Sequence, residues 1–194
     1  MTTDWSALTW LNPPPSTDMG PDGLHVLTGN RTDFWQETYY GFHHDNGHFL
    51  HRTRTGEFTI ETGFTGRYEA LYDQAGLMVR HDHRHWLKCG IEYTDGQCHL
   101  STVVTVDGRS DWSAFALPGL DGPLELRLSR LGDAMFVQYR MQPDGSWHMA
   151  RLAYFPVNLE KLEVGVMACS PQRAGFEVMF HHFTTGEPAS RDIH

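Results

Sequence analysis

The sequence is almost without lysine: Lys88 and Lys161 are the only two. Fifteen basic residues face 24 acidic ones, a net charge of −9. Binding to a phosphate backbone rests on a positive field, so no nucleic-acid partner is expected. No run approaches the ~18 consecutive apolar residues of a membrane span. Met1-Thr2-Thr3-Asp4-Trp5 has neither the basic start nor the apolar stretch of a secretion signal. No membrane partner is expected, and the expected compartment is the cytoplasm. Cysteine is sparse and odd in number: Cys89, Cys98 and Cys169, without a Cys-x-x-Cys spacing. They read as reduced, small hydrophobic side chains. Also missing are a Gly-rich phosphate loop, a Gly-x-Ser-x-Gly elbow and a capped amphipathic helix. No cofactor is expected, and Arg67 to Gln74 reads as a loop.

What is present is a chain of 194 residues, 40% hydrophobic and 12% aromatic. That length fits one domain over residues 1–194, burying roughly 70% of the extended chain's surface. Period-two alternation recurs along it. Phe58, Ile60, Thr62 and Phe64 alternate with polar or small residues, as do Leu87, Cys89, Ile91 and Tyr93. Leu124, Leu126 and Leu128 form a third set, and Met135, Val137 and Tyr139 a fourth. Each predicts a strand with a buried face. Asp45-Asn46-Gly47, Thr94-Asp95-Gly96, Val106-Asp107-Gly108, Leu131-Gly132-Asp133 and Pro143-Asp144-Gly145 read as hairpin turns, because Asn, Asp and Gly tolerate positive φ. The fold class is all-β, with two packed antiparallel sheets fitting the strand spacing better than a closed barrel.

The strand at 86–93 has a second face: Trp86, Lys88, Gly90 and Glu92. An aromatic beside charged groups, with a glycine making room, is what a polar-ligand groove requires. Arg80 lies one strand earlier, and Gln138 and Arg140 lie on a later one. On one curved sheet Arg80, Trp86, Lys88, Glu92, Gln138 and Arg140 would converge as a ligand-binding surface; the alternative is a solvated face with surface ion pairs. Glu92 is the single best candidate for an acid or base, but the paired carboxylate of glycoside chemistry is not evident. The thirteen histidines raise a metal question. His81-x-His83-x-His85 would share one face of an unbroken strand, but Asp82 and Arg84 mark a turn that breaks the parity. No metal site is expected.

Longer motifs add a resemblance. Thr32-Asp33-Phe34-Trp35, Tyr40-Gly41-Phe42 and Asp45-Asn46-Gly47-His48-Phe49 open it. Tyr72 to Arg80, Trp86 to Glu92, Ser101 to Thr105, Ser110-Asp111-Trp112-Ser113, Cys169-Ser170-Pro171 and Gly175-Phe176 follow in order. Over about residues 5–183 the chain resembles the domain-of-unknown-function family 1349, which includes a fungal protein named for a role in regulating enolase. The resemblance implies a concanavalin A-like jelly-roll β-sandwich with a concave face. It makes Asp73, Gln74, Ser110, Asp111 and Trp112 structural or site-adjacent, and it carries no catalytic residue. Asp73 and Gln74 have a structural alternative, bridging loop backbone.

The expected activity is binding of a carbohydrate or similar polar molecule in the concave face. Trp86 would stack on a sugar ring, while Arg80, Lys88 and Glu92 would hold hydroxyls or an acidic group. The two bases point to a sugar acid. A carbohydrate-active enzyme using Glu92, and a protein-interaction or metabolic regulatory domain, are the alternatives. A monomer or a homodimer is compatible with the pattern.

Overall fold

The computed structural model describes residues 3–142, 144–156, 158–189 and 191. Among the described residues, sixteen strands follow a 3-10 turn at Trp5–Ala7. They are β1 (Thr9–Leu11), β2 (Ser16–Gly20), β3 (Gly23–Leu27), β4 (Phe34–Gln36), β5 (His43–Asp45), β6 (His48–Thr55), β7 (Phe58–Gly66) and β8 (Gln74–Asp82). Then come β9 (His85–Thr94), β10 (Gln97–Val106), β11 (Arg109–Ala116), β12 (Leu124–Leu131), β13 (Ala134–Arg140), β14 (His148–Tyr154), β15 (Lys161–Cys169) and β16 (Glu177–Gly186). One seven-stranded sheet has the order β1-β6-β15-β8-β9-β10-β11, the other β14-β13-β12-β7-β16-β3-β2. The strand pairs in both are antiparallel, making the expected jelly-roll sandwich. Among the described residues no helix is long and apolar enough to cross a membrane.

The period-two runs explain the layers. Leu87, Cys89 and Ile91 of β9 meet Leu124, Leu126 and Leu128 of β12 and Ile60 and Phe64 of β7 in one core between the sheets. Asp95 (φ 52) with Gly96 (φ 74), and Asp107 (φ 53) with Gly108 (φ 75), take the left-handed conformation that tight hairpins need. These turns join β9, β10 and β11 into a meander. Gly76 and Gly90 face each other on β8 and β9. A Cβ on either would overlap the carbonyl of the facing strand, so close approach of the backbones requires glycine there. The 82–85 turn interrupts the histidine run as expected: His81 bonds the Lys161 carbonyl, and His85 turns to Asp82 and Asp107. Among the described residues no cluster of three metal-ligating side chains forms. The three cysteines are free thiols, and burial pushes the Cys89 thiol up to about 12.

One turn differs from expectation. Asp45-Asn46-Gly47 does not fold β5 against β6. β5 pairs with β4 in a separate two-stranded hairpin, and the Asn46 and Gly47 amides donate to the Asp33 carbonyl at 3.1 and 3.0 Å. Of the Pro143-Asp144-Gly145 turn, Pro143 lies outside the described residues.

The β4–β5 hairpin lies over the outer face of the first sheet, and this creates a second core. Phe34 from the hairpin packs with Phe49, Met78, Trp86, Val103, Met167 and Cys169. These sit on β6, β8, β9, β10 and β15, at the positions alternate to the inter-sheet core, so the middle of this sheet is buried on both faces. Phe34 is fully buried and lies 6.1 Å from the Trp86 ring. Phe34→Ala is expected to lower unfolding free energy by roughly 3–5 kcal/mol, read from denaturant midpoints. A loss below about 1 kcal/mol would mean the hairpin is not anchored by this core.

Candidate functional site

Toward the β11 side of the second core, the hairpin and the sheet enclose a cavity of about 360 Å³. Its floor is Gln74, Lys88, Glu92 and Val103, on β8, β9 and β10. Trp35, Tyr40, Phe42 and His44 of the hairpin cover it, and Tyr72 and Trp112 wall it. The lining thus combines flat aromatic faces with a small set of charged and amide groups.

Local rules hold the cover in shape. The loop from Glu37 to Gly41 turns through three positive φ values, at Glu37 (60), Tyr39 (63) and Gly41 (66). It is closed by the Glu37 amide donating to the Phe42 carbonyl at 2.7 Å. The Trp35 indole donates to the Thr38 carbonyl at 3.1 Å. Tyr40 stacks on Phe42 with ring centroids 5.4 Å apart. Polar contacts tie the hairpin segment to the sheet, among them Gln74 Nε2 donating to Asp33 Oδ1 at 3.4 Å. The Gln36 amide donates to Ser110 Oγ at 2.9 Å, Arg80 reaches Asp45 at 2.8 Å, and Lys88 Nζ lies 2.9 Å from Asp33 Oδ1.

Lys88 is 4% exposed and Glu92 6%. Burial by itself would lower the Lys88 pKa; Asp33 in contact, with Cys169 and Glu92 nearby, reverses this and holds it above the ordinary value. For Glu92, burial raises the pKa, and Lys88 together with hydrogen bonds from Ser101 and Trp112 offsets only part of that. The Trp112 indole also donates to Ser101 Oγ at 2.9 Å. The cavity therefore holds a paired cation and a carboxyl group with raised proton affinity.

The structure brings together only part of the set read from the sequence. Lys88, Glu92, Gln74 and Trp112 line the cavity. Trp86 does not: it is fully buried beneath Phe34, with its indole donating to the His83 carbonyl at 3.2 Å, so its ring has no face open to a sugar. Arg80 is outside the cavity lining, paired to Asp45 and, at 3.8 Å, to Glu163. Gln138 and Arg140 are on β13 of the other sheet, where Arg140 lies over the Trp147 ring at 4.5 Å. Ser110 is a strut between Thr105 and Gln36. Asp111 pairs with Arg151 at 2.8 Å. Asp73 accepts from the Glu69 and Ala70 amides and pairs with Arg173 at 2.6 Å, organising the loop before β8. The sequence reading missed Arg31, Asp33, Trp35, Tyr40, Phe42, His44, Tyr72 and Gln172 as lining residues. The aromatic density from Phe34 to Phe42 was the available signal.

Residues 10–188 match the model of a family described as "Protein of unknown function (DUF1349)". The chain is 41% identical over 192 residues to Regulation of enolase protein 1 of Saccharomyces cerevisiae, covering 99% of this chain and 96% of that one. It is similar in fold to the GH43 protein BlXynB from Bacillus licheniformis: TM-score 0.68, 18% identity, 89% of this chain and 35% of that one. It is also similar to the carbohydrate-binding module CBM66 from Bacillus subtilis: TM-score 0.59, 13% identity, 93% and 98% coverage. These two likenesses show the sandwich architecture.

The carboxyl group in the cavity makes a signed pH prediction. Folded Glu92 holds its proton more tightly than its ordinary value of 4.5. Above that pH the native state binds more protons than the unfolded one, so this group's contribution to stability falls as pH rises from 4.5 through the raised value. Glu92→Gln removes the loss. Its denaturant midpoint is expected to rise relative to the parent between pH 4.5 and neutrality; a difference independent of pH would contradict the burial argument.

Proposed function

The chain belongs to the DUF1349 family, and from that footing we propose that the cavity under the β4–β5 hairpin binds a carbohydrate or a similarly hydroxyl-rich small molecule. The observation that carries this reading is the lining itself. Trp35, Tyr40, Tyr72 and Trp112 offer ring faces and edges, and Gln74, Lys88, Glu92 and Gln172 offer donors and acceptors, around about 360 Å³. Sugars present both C–H faces and hydroxyls, and apolar walls with a few convergent polar groups match both. Support comes from the carbohydrate-binding module and the GH43 protein that share the sandwich. Lys88 is committed to Asp33. Arg31 lines the cavity and makes no ion pair among the described residues, so it is the base on offer to a sugar acid. Three free thiols suit the reducing cytoplasm, where we place the protein.

A second reading, an enzyme on sugars, has one observation in its favour. Two carboxylates, Asp33 and Glu92, both interact with Lys88 in one cavity, and Glu92 has the raised pKa of a general acid. Hydrolysis of a bound oligosaccharide by the parent, lost in Glu92→Gln, would select this reading over simple binding. For the binding reading, a glycan array followed by titration calorimetry is the test. Trp112→Ala is expected to weaken the best ligand by about tenfold or more, with the fold retained by circular dichroism. An unchanged affinity would remove this cavity as the site.

A further inference from the structure

The cavity under the hairpin does not stand alone on the outer face of the first sheet. In the first sheet β15 and β11 lie on opposite sides of β8, β9 and β10. Toward β15 the cavity is lined by Pro171 and Gln172, in the connection that follows that strand. Toward β11, the sheet edge, it meets a second, shallower concavity of about 410 Å³. Trp35, Tyr40 and Trp112 line both, and Thr38, Tyr39, Ser110 and Asp111 line only the second.

The second concavity repeats the chemistry of the first. Tyr39 is 93% exposed, yet it is held by the hairpin loop at φ 63 and packs edge-on against Tyr40 at 4.9 Å. Trp112 is 39% exposed at the shared wall. The Asp111 side chain is 70% exposed, and Arg151 holds its Oδ1 at 2.8 Å. Exposed rings beside a carboxylate, adjoining the aromatic cavity under the hairpin, form a second place for a sugar ring rather than a continuation of the core.

We infer that the ligand is a sugar chain at least two residues long. One residue occupies the cavity under the hairpin, and its neighbour lies at the β11 edge against Tyr39, Tyr40 and Trp112, with Asp111 accepting from its hydroxyls. This rests on the carbohydrate reading above and adds ligand length to it. The two concavities provide places for two residues.

The test is titration calorimetry on the full chain. The probes are glucose, xylose, arabinose, galactose, fructose and galacturonic acid, with the di- and trisaccharides built from each. For the series that binds, the disaccharide is expected to be at least about tenfold tighter than the monosaccharide, and the trisaccharide within about threefold of the disaccharide. A disaccharide that binds where its monomer is undetectable meets the same criterion. Tyr39→Ala and Asp111→Asn, both at exposed side chains, are expected to weaken the disaccharide by about fivefold or more and to leave the monosaccharide unchanged. Equal affinity for one and two residues would overturn the inference while leaving the carbohydrate reading intact, and so would a disaccharide advantage that survives both substitutions. If none of these sugars binds at any length, the carbohydrate reading itself fails and this inference falls with it.

Discussion

The ion pair between Lys88 and Asp33 is the contact on which the site depends. Lys88 stands on the outer face of a central strand, Asp33 on the segment entering the hairpin, and they meet at 2.9 Å with little access to water. A cation buried this far is tolerable only when it is paired. Asp33 also accepts from Phe34 N at 2.8 Å through its side chain, and its carbonyl takes the Asn46 and Gly47 amides at the hairpin's other end. One residue thus couples both ends of the hairpin to the charge beneath it. Phe34 then follows in sequence into the apolar pocket over Trp86, so the polar tie and the apolar anchor fix the same segment.

That placement divides the outer face in two. On one side the hairpin seals an apolar layer of Phe49, Met78, Trp86 and Met167. On the other, Lys88, Glu92 and Gln74 face aromatic rings across open space. Glu92 feels both halves of this arrangement: burial raises its pKa, while Lys88, Ser101 and Trp112 moderate the rise. A site built this way keeps its polar groups oriented before any ligand arrives, which reduces the ordering cost of binding.

Much of the sandwich was legible because alternation is local. Phe58 to Phe64 and Leu124 to Leu128 have one apolar parity and one polar, and that decides a one-sided strand without knowing its neighbours. Alternation does not say which sheet a strand joins. Gln138 and Arg140 have the right parity but belong to the other sheet. It also does not say what lies above a face. Trp86 shares its parity with Lys88 and Glu92, and only the cover supplied by Phe34, some fifty positions earlier, makes it core instead of ligand platform. Lys88 and Glu92 were correctly placed on one face because their parity is intrinsic to β9. Their partner Asp33 was visible only as part of a family-like motif. Trp112 likewise stood in such a motif, and its place at the cavity wall follows from pairing with Val103 across β10.

The most direct test of the account is the indole region of a nitrogen–proton spectrum during titration with the best sugar found. Six tryptophans give six reporters, distributed between the cavity, the buried core and the opposite sheet. Shifts are expected at the Trp35 and Trp112 indoles, which line the cavity, with Trp86 and Trp147 unmoved. Shifts confined to Trp147, beside Arg127 and Arg140 on the other sheet, would contradict it, as would binding that moves neither Trp35 nor Trp112.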